Sequence, residues 1–232
     1  MKIIKQLLIN GEEVALISDD TRLELSSPGR ARFLVQSDKP LTGVVQFAIG
    51  WSGMELFRLF VGYIDRQTTV NEKQQLLFCR ELSAALNRPL FMGLRHITVN
   101  DVLTRISKET AISFVAPKKE YVRKQVPHFH HMGGGYQAMD AIGPVFNIPS
   151  FIWQQQGDGS VYVGSWQDSR WSSRPVQIPD KFFTEHLAFN SARMMMAPSL
   201  RPGVQFNRGV IDSLTCKNDS MVISWMPLNA LS

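Results

Sequence analysis

The sequence predicts an α+β fold that is mainly β: a small antiparallel barrel or sandwich, an α+β insert and C-terminal strands. Three observations predict it. Apolar and polar residues alternate with a period of two through the first eighty residues, with no helical period among them. A helix-capping pattern then begins at Thr98. Hairpin signals at Gly157-Asp158-Gly159 and Asn218-Asp219 indicate further strand pairs.

The first eighty residues contain six predicted strands separated by turn signals. The Asn10-Gly11 pair tolerates positive φ at both positions and predicts a hairpin, with residues 14–17 and 23–25 continuing its return arm. Ser27-Pro28-Gly29 predicts a turn into the next strand. The remaining alternating runs are residues 31–36, 45–51, 57–64 and 74–80. Short strands at this spacing are typical of a barrel or sandwich, and closure into a barrel would hide the strand edges.

Two helices are predicted in the insert. Thr98 and Asp101 have the spacing of a capping box, so the first helix is expected near residues 99–110. Apolar residues on one helical face before Gly143-Pro144 predict the second near residues 135–146. Strands at 112–115, 151–155 and 160–166 complete an approximate β-α-β-α-β-β order.

The rest of the chain is predicted to be a connection followed by strands. Within residues 167–202, extended connection is expected at 170–175 and in the segment that ends at 201–203, and no strand is predicted. Residues 204–214 and 221–226 are expected to be strands that either start a second barrel or complete the first. The expected domains are a first β-barrel domain (1–88), an α+β domain (89–170) and a connection with C-terminal strands (171–232).

A histidine-rich stretch, HFHHMGGG at residues 128–135, raises the question of a metal site. Closed zinc sites use four converging ligands, and His128 and His130 would share a side only on a strand, with His131 pointing away. No H-E-x-x-H pattern occurs. The stretch is therefore expected to be a bend without metal ligands. A metal-dependent or cell-wall hydrolase that uses the His128–His131 loop is kept as an alternative.

The chain is basic, with a formal net charge of +5, but its basic residues are dispersed along the sequence. The densest group, Lys118, Lys119, Arg123 and Lys124, is diluted by Glu120 and is expected to be a solvated loop. Phosphate recognition would need several such contacts along one face. A nucleic-acid-binding module that uses residues 118–124 is kept as a second alternative.

No catalytic, cofactor-binding or metal-ligating residue is expected. There is no G-x-S-x-G pattern, and the carboxylate pairs Glu12-Glu13 and Asp19-Asp20 are expected in turns. Cys79 and Cys216 are expected inside strands, where a cysteine is usually a small buried apolar residue. Core or interface positions are expected for Met194, Met195, Met196, Trp153, Trp166 and Trp171. A carbohydrate site is the alternative for the tryptophans.

Targeting signals are not visible either. No apolar run approaches the ~20 residues that a membrane helix needs, and no secretory signal is recognised. The two cysteines form no C-x-x-C pair. Folding is therefore expected in a reducing cytoplasm, without a membrane partner.

Several stretches resemble the baseplate hub proteins of Mu-like contractile phage tails, relatives of the VgrG-type spike and late control D hub proteins. The fullest is GYQAMDAIGPVFNIPSFIWQQQGDGSVYVGSW at residues 135–166, which resembles the helix and hairpin of that family. The other stretches, in the family's order, are INGE at 9–12, FVGYID at 60–65, CREL at 79–82 and HITVNDVLTRI at 96–106, before ISFVAP. The similarity covers about the first 170 residues.

The resemblance implies a small antiparallel tube-like β-barrel with the α+β insert, followed by a second, abbreviated barrel or shared strands at the C-terminus. It implies a structural virion component and not an enzyme: a hub that joins the tail tube to the central spike. The implied partners are tail tube and spike proteins, with DNA only passing through the tail. The implied location is the virion tail baseplate, after assembly in the host cytoplasm.

A homotrimer is also implied, in which two barrels per chain match the sixfold ring of the tail tube. Only about sixty residues follow Trp166, too few for a second full barrel of ordinary strand length. Strand edges that are left open must be paired, covered or charged. Contacts between chains are therefore expected to involve the first eighty residues and the C-terminal strands.

Overall fold

The computed structural model describes residues 2–231, of which 52% are strand and 18% helix. The prediction of a mainly β fold with antiparallel sheets is confirmed. The strands before the insert are β1 (Ile3–Ile9), β2 (Glu12–Glu13), β3 (Leu16–Glu24), β4 (Ser27–Gln36), β5 (Val44–Trp51), β6 (Phe57–Asn71) and β7 (Gln74–Glu81). A 3-10 helix over Leu82–Leu86 leads into the insert.

The insert contains all three α-helices of the described chain. Its elements are β8 (Pro89–Ile97), α1 (Val99–Thr110), β9 (Phe114–Val115), α2 (Glu120–Arg123), β10 (Val126–Gly134), α3 (Gly135–Val145), β11 (Phe151–Gln155) and β12 (Val161–Ser165). The C-terminal strands are β13 (Phe183–Ala188), β14 (Ser191–Met195), β15 (Gln205–Phe206), β16 (Gly209–Lys217) and β17 (Ser220–Met226). Short 3-10 helices lie at Trp166–Asp168, Asp180–Phe182 and Leu228–Leu231.

One antiparallel sheet joins the N-terminal and C-terminal strands. Its order is β13-β14-β17-β16-β3-β4-β7-β6-β5-β1-β2, with β15 beside β16. β3 makes the junction, because its residues from Asp20 to Glu24 pair with β16 on one edge while its other edge pairs with β4. The first and last strands therefore share one sheet, as one of the two sequence-based alternatives requires.

The two ends of the N-terminal part of the sheet come close together. Val14 N–H donates to Leu7 O at 2.9 Å, and Lys5 Nζ on β1 lies 2.6 Å from Asp19 Oδ1 on β3. Within residues 2–231, the ladder of paired strands does not return on itself. Closure of a tube-like barrel therefore stays a prediction.

Of the two turns that the sequence predicts between the first strands, one is found and the other is not. Asn10 (φ 52°) and Gly11 (φ 88°) form the expected hairpin, but its return arm is only β2, because β3 pairs with β4 and β16 instead of with β1. The turn expected at Ser27-Pro28-Gly29 is wrong: these residues begin β4, and the chain turns at Ser26 (φ 52°). A glycine is needed at position 29 for close packing, because a Cβ there would lie 2.5 Å from Leu23 Cδ2.

The sequence analysis missed two strands within residues 167–202. Residues 183–195 form the antiparallel hairpin β13–β14, which extends the sheet beyond β17. Every residue of β13 after Phe183 is exposed, and two register shifts interrupt its pairing with β14. A strand that buries neither face shows no alternation of buried and exposed residues, so the sequence pattern did not reveal it.

Helix α1 confirms the capping prediction. It spans the expected residues, and Thr98 and Asp101 form a reciprocal capping box: Asp101 N–H donates to Thr98 Oγ1 at 3.3 Å and Thr98 N–H donates to Asp101 Oδ2 at 2.8 Å. Both bonds satisfy backbone donors that the first helical turn leaves unpaired. The bonds from Thr98 also lower the pKa of the Asp101 carboxyl.

Replacing the cap should weaken α1 measurably. We expect Thr98→Ala to lower the free energy of unfolding by about 1 kcal/mol, because it removes the acceptor for Asp101 N–H. Urea unfolding followed by circular dichroism measures the change. The matched control is Thr104→Ala at an exposed position inside α1, where alanine is the better helix former and the free energy should stay constant or rise slightly. Equal losses at both positions would contradict the capping role.

Two apolar clusters fill the molecule. The larger lies against the twelve-stranded sheet and includes Phe33, Phe47 and Phe60, with ring centroids of Phe33 and Phe47 4.9 Å apart. The second is formed by the insert, from Leu86 to Val163, and packs α1 and α3 against β8, β10 and β11. Helix α3 ends at Val145, one residue short of the range that the sequence predicts.

Candidate functional site

The histidine-rich stretch is a strand, so the expected bend is wrong. β10 pairs antiparallel with β8, with His128 opposite Arg95 and His130 opposite Gly93. His128 and His130 are exposed on one face, while Phe129 between them is buried on the other. The pairing with β8 and the burial of Phe129 determine this conformation, and neither is visible from the local sequence.

The histidine side chains of β10 do not form a metal site. His131 is directed away from its two neighbours, and its Nε2 lies 3.0 Å from Gly134 O. Within residues 2–231, no group of three or more His, Cys, Asp or Glu side chains is arranged to hold a metal ion. Of the three glycines, Gly135 has a structural role at the start of α3, where a Cβ would lie 2.4 Å from Leu86 O.

The charged residues of segment 118–124 are exposed, as expected, but its middle forms the single turn of α2, with Val122 buried. Tyr121, the one aromatic residue in it, is not free to stack on a base. Its hydroxyl donates to Asp168 Oδ2 at 2.9 Å and accepts from Ser165 N–H at 3.1 Å. Burial is the main reason that the pKa of Tyr121 rises to about 12. Lys119 is also held, 2.8 Å from Asp168.

The other sequence-derived candidates are mostly structural. Burial raises the pKa values of Cys79 and Cys216 to about 12, so both are inert thiols in strands, as expected. The expected turn at Asp19-Asp20 is wrong, because both residues lie inside β3, where cross-strand pairing continues through them. The turn expected at Glu12-Glu13 is also wrong, because these residues form the short strand β2 next to the hairpin turn at Asn10-Gly11.

The tryptophans and methionines are largely core residues. Trp153, Trp166 and Trp171 are all buried, which agrees with the expected core role and leaves no tryptophan-lined carbohydrate surface among them. Met194 and Met196 are buried as well, whereas Met195 between them is exposed because β14 alternates its side chains. The methionine run thus contributes to both the core and the surface.

A buried ion pair joins the sheet, the insert and the C-terminal segment. Arg201 donates from Nη1 to Leu59 O at 2.7 Å and from Nη2 to Gln155 O at 3.3 Å, and the same Nη2 lies 3.5 Å from Glu81 Oε1. Glu81 Oε2 accepts from Gly29 N–H at 2.7 Å. Both side chains are almost completely removed from solvent. The pair therefore ties together three parts of the chain.

Gln155 extends this polar junction. Its Oε1 accepts from Ser83 N–H at 2.8 Å, and its Nε2 donates to Val61 O at 2.8 Å. Buried backbone groups of the sheet and of the 3-10 helix at 82–86 are satisfied in this way through one side chain of the insert. The interface between the two apolar clusters is thus fixed by directional bonds as well as by apolar packing.

Burial gives Glu81 an unusual titration. Desolvation raises the pKa of its carboxyl from 4.5 to about 7, although Arg201 and the Gly29 N–H bond lower it. Between these two values the folded chain holds a proton that the unfolded chain has lost. The resulting stability is fully present below about pH 4.5 and is lost as the pH rises through about 7.

We therefore expect Glu81→Gln to flatten the pH dependence of stability. The free energy of unfolding of the natural chain should fall relative to that of the variant by up to about 3 kcal/mol between pH 4.5 and 8. Urea titrations of both chains at several pH values measure the difference, in which the contributions of other titrating groups cancel. A difference that does not change with pH would contradict the raised pKa.

Two apolar surfaces are open to solvent. On the β8–β10 ribbon, Phe91 and Met132 lie directly opposite each other and are 62% and 69% exposed. A groove with a volume of 570 Å³ lies elsewhere, between β5, β6 and the C-terminal segment, and exposed side chains at its wall include Phe57, Val176 and Met195. Exposed apolar surface of this kind is typical of protein contact sites.

The outer face of the sheet carries a cluster of arginines that the sequence analysis missed. Arg22 on β3, Arg30 on β4 and Arg80 on β7 are exposed and opposite one another in register. They line a groove with a volume of 660 Å³. The residues are far apart in sequence, so a search for runs of basic residues could not find them. The sequence of β4 did carry a signal: Arg30 and Arg32 flank the buried Ala31, an alternation that places both arginines on the outer face of the sheet.

Comparison with solved structures identifies the fold. The 43 kDa tail protein of prophage MuSo2 from Shewanella oneidensis matches 98% of this chain over 98% of its own length, with a TM-score of 0.70 and 9% identity. This protein is a structural relative of phage tail proteins. A tail protein from Neisseria meningitidis also matches, with a TM-score of 0.61 and 10% identity over 97% of this chain and 96% of its own.

The match of this tail-protein relative extends to secretion machinery. An Escherichia coli component of the type VI secretion system, itself similar in structure to tail proteins of bacteriophage T4, matches 96% of the chain and 76% of its own length, with a TM-score of 0.64 and 11% identity. The sequence-based resemblance to Mu-like tails and VgrG-type proteins is thus confirmed at the level of fold.

A sequence relative comes from a phage. An uncharacterized 58.7 kDa protein of Haemophilus phage HP1 is 33% identical over 225 residues, which is 97% of this chain and 42% of that protein. The chain therefore spans less than half the length of this relative. No family model matches the chain. Within residues 2–231, no helix is both long and apolar enough to cross a bilayer.

Proposed function

We propose that this protein is a structural component of a phage or prophage contractile tail, a baseplate hub that joins the tail tube to the central spike. The observation that carries the proposal is the match of nearly the whole chain, sheet and insert together, to a prophage tail protein. The fold is mainly β, and the buried pair of Glu81 and Arg201 joins its sheet, its insert and its C-terminal segment. Such a part works by presenting surfaces to neighbouring proteins.

The proposal includes a homotrimer. The sheet ends in β13 on one side and in β1 and β2 on the other, and within the described chain the outer edge of β13 has no strand partner. The β8–β10 ribbon and the groove beside Phe57 add exposed apolar surface. Contact between unlike edges of neighbouring copies, closed by rotation, gives a ring. A stable interface of this kind buries more than roughly 1,000 Å².

The partners in this proposal are tail tube and spike proteins, and the location is the virion tail baseplate. DNA passes through the tail without being read by this chain. The proposed organisation is a first β-domain (1–88), an α+β domain (89–170) and a C-terminal part (171–232) whose strands complete the shared sheet. The proposal assigns no catalytic residue, no metal and no cofactor, and it places no chemistry at the His128–His131 strand.

Light scattering coupled to size exclusion tests the oligomer. We expect a species with three times the 26.3 kDa mass of the chain. Immuno-electron microscopy of tails from the phage or lysogen that encodes the chain tests the location, with label expected at the baseplate end. A monomer at high protein concentration would contradict the trimer, and label along the tube or at the head end would contradict the hub assignment.

A further inference from the structure

Three arginines form an uninterrupted row across the outer face of the sheet. Arg22 pairs in register with Arg30, and Arg30 with Arg80. Neutral residues, Thr215 and Tyr63, occupy the positions beyond the two ends of the row. Neighbouring strands lie about 4.8 Å apart, so the backbone positions of the three arginines span about 10 Å.

The row is poorly compensated by the protein's own acids. Arg22 pairs with Glu24 on its own strand, and Arg80 lies 3.9 Å from Asp65. Arg30, between the two, has no carboxylate partner among the described residues. Like charges directly opposite on neighbouring strands are destabilising. The arrangement therefore opposes folding slightly, which a purely structural role does not explain.

The row two residues away provides a contrast within the same sheet. There Asp20 on β3 stands opposite Arg32 on β4, with Asp20 Oδ2 2.7 Å from Arg32 Nη2. The next residue across is Phe78, and Arg66 covers its ring at 4.4 Å from the centroid. Arg32 and Arg66 of this second row each have a partner, and Lys217 at its end stands opposite the Asp20 carboxylate. Cations that stand directly opposite one another are therefore confined to the first row.

We propose that the Arg22–Arg30–Arg80 row docks an acidic α-helix of a partner protein, with carboxylates at helix positions i, i+4 and i+8. A guanidinium binds a carboxylate through two parallel hydrogen bonds. Side chains at i and i+4 of a helix are about 5–6 Å apart, close to the strand spacing, whereas alternate residues of a strand are about 7 Å apart. The helix lies across the strands in the 660 Å³ groove.

The surroundings favour a protein over nucleic acid. Asp20, Glu24 and Asp65 lie beside the row and limit its positive charge to a short patch, which suits three carboxylates better than the continuous charge of a phosphate backbone. Phe78, the aromatic ring in the groove, is already covered by Arg66 and cannot stack on a base. Arginine with tyrosine and phenylalanine, without lysine, is the composition of a protein–protein contact. The inference goes beyond the tail assignment and is testable without it.

A titration followed by nuclear magnetic resonance tests the proposal on the full chain. The probe is a 21-residue alanine- and glutamine-based helical peptide with glutamate at three positions spaced by four; the control peptide carries glutamine there. We expect saturable shifts of the arginine Nε–H and backbone signals of β3, β4 and β7 with the glutamate peptide only. Equal shifts with both peptides, or shifts confined to other elements, overturn the proposal.

Variants make the test specific. We expect Arg30→Glu to weaken peptide binding at least tenfold and Arg30→Lys to weaken it several-fold. Arg123→Glu, the same charge change on the exposed α2, should leave binding unchanged, and equal weakening by Arg123→Glu overturns the proposal. Tighter binding of a 20-base-pair DNA duplex that Arg30→Glu abolishes also overturns it, in favour of a phosphate site.

Measurements of stability distinguish a docking role of the arginine row from a structural role. Arg30→Ala should leave the urea midpoint unchanged or raise it, because the substitution relieves the opposition of three like charges. Arg32→Ala, which removes the partner of Asp20, should lower the midpoint slightly. A marked loss of stability in Arg30→Ala would show that the row is structural and would overturn the proposal.

Discussion

Arg201→Ala should lower the free energy of unfolding by about 3–5 kcal/mol at pH 8. The substitution leaves the Glu81 carboxylate buried without a counter-charge and removes the donors to Leu59 O and Gln155 O. Since these contacts join the sheet, the insert and the C-terminal segment, their loss should weaken the whole molecule. Urea unfolding, followed by tryptophan fluorescence, measures the change.

Two comparisons make this result interpretable. The double variant Arg201→Ala, Glu81→Gln should recover part of the loss, because no buried charge is left. Arg193→Ala removes an exposed ion pair, 2.7 Å from Glu185, and should cost less than about 1 kcal/mol. The loss in Arg201→Ala should also shrink at pH 5, where Glu81 is protonated. Equal losses at positions 193 and 201 would contradict the role of the buried pair.

Phe129→Ala should lower the free energy of unfolding by about 3–5 kcal/mol. Phe129 is 1% exposed and packs in the cluster of the insert, with its ring centroid 6.2 Å from that of Phe146. Removing the ring leaves a cavity between β10 and α3 that the rigid surroundings cannot fill. Thermal and urea unfolding measure the loss.

The controls test whether residues 126–134 are a strand with two distinct faces. His130→Ala, on the exposed face next to Phe129, should leave the unfolding midpoint unchanged. Phe189→Ala is the matched phenylalanine control, because Phe189 is fully exposed at the turn between β13 and β14, and it should also have no effect. A small effect of Phe129→Ala, similar to that of His130→Ala, would support a solvated bend instead.

Local chemistry determined the elements that the sequence predicted well. The Thr98–Asp101 capping box, the Asn10-Gly11 turn and the hairpin around Gly157-Asp158-Gly159 each depend on residues within four positions of one another. The alternation in β4 and β5 likewise reports which residues face the core. Such signals need no knowledge of distant residues, because turn geometry, capping and side-chain period act within one element.

The tertiary structure alone decided the rest. β10 is a strand because it pairs with β8 and packs Phe129 into the cluster of the insert. β13 is a strand because it pairs with β14. The Glu81–Arg201 pair and the Arg22–Arg30–Arg80 row exist only after strands that are distant in sequence align in register. Register is set by which faces can be buried together, a property of the whole sheet that no single stretch encodes.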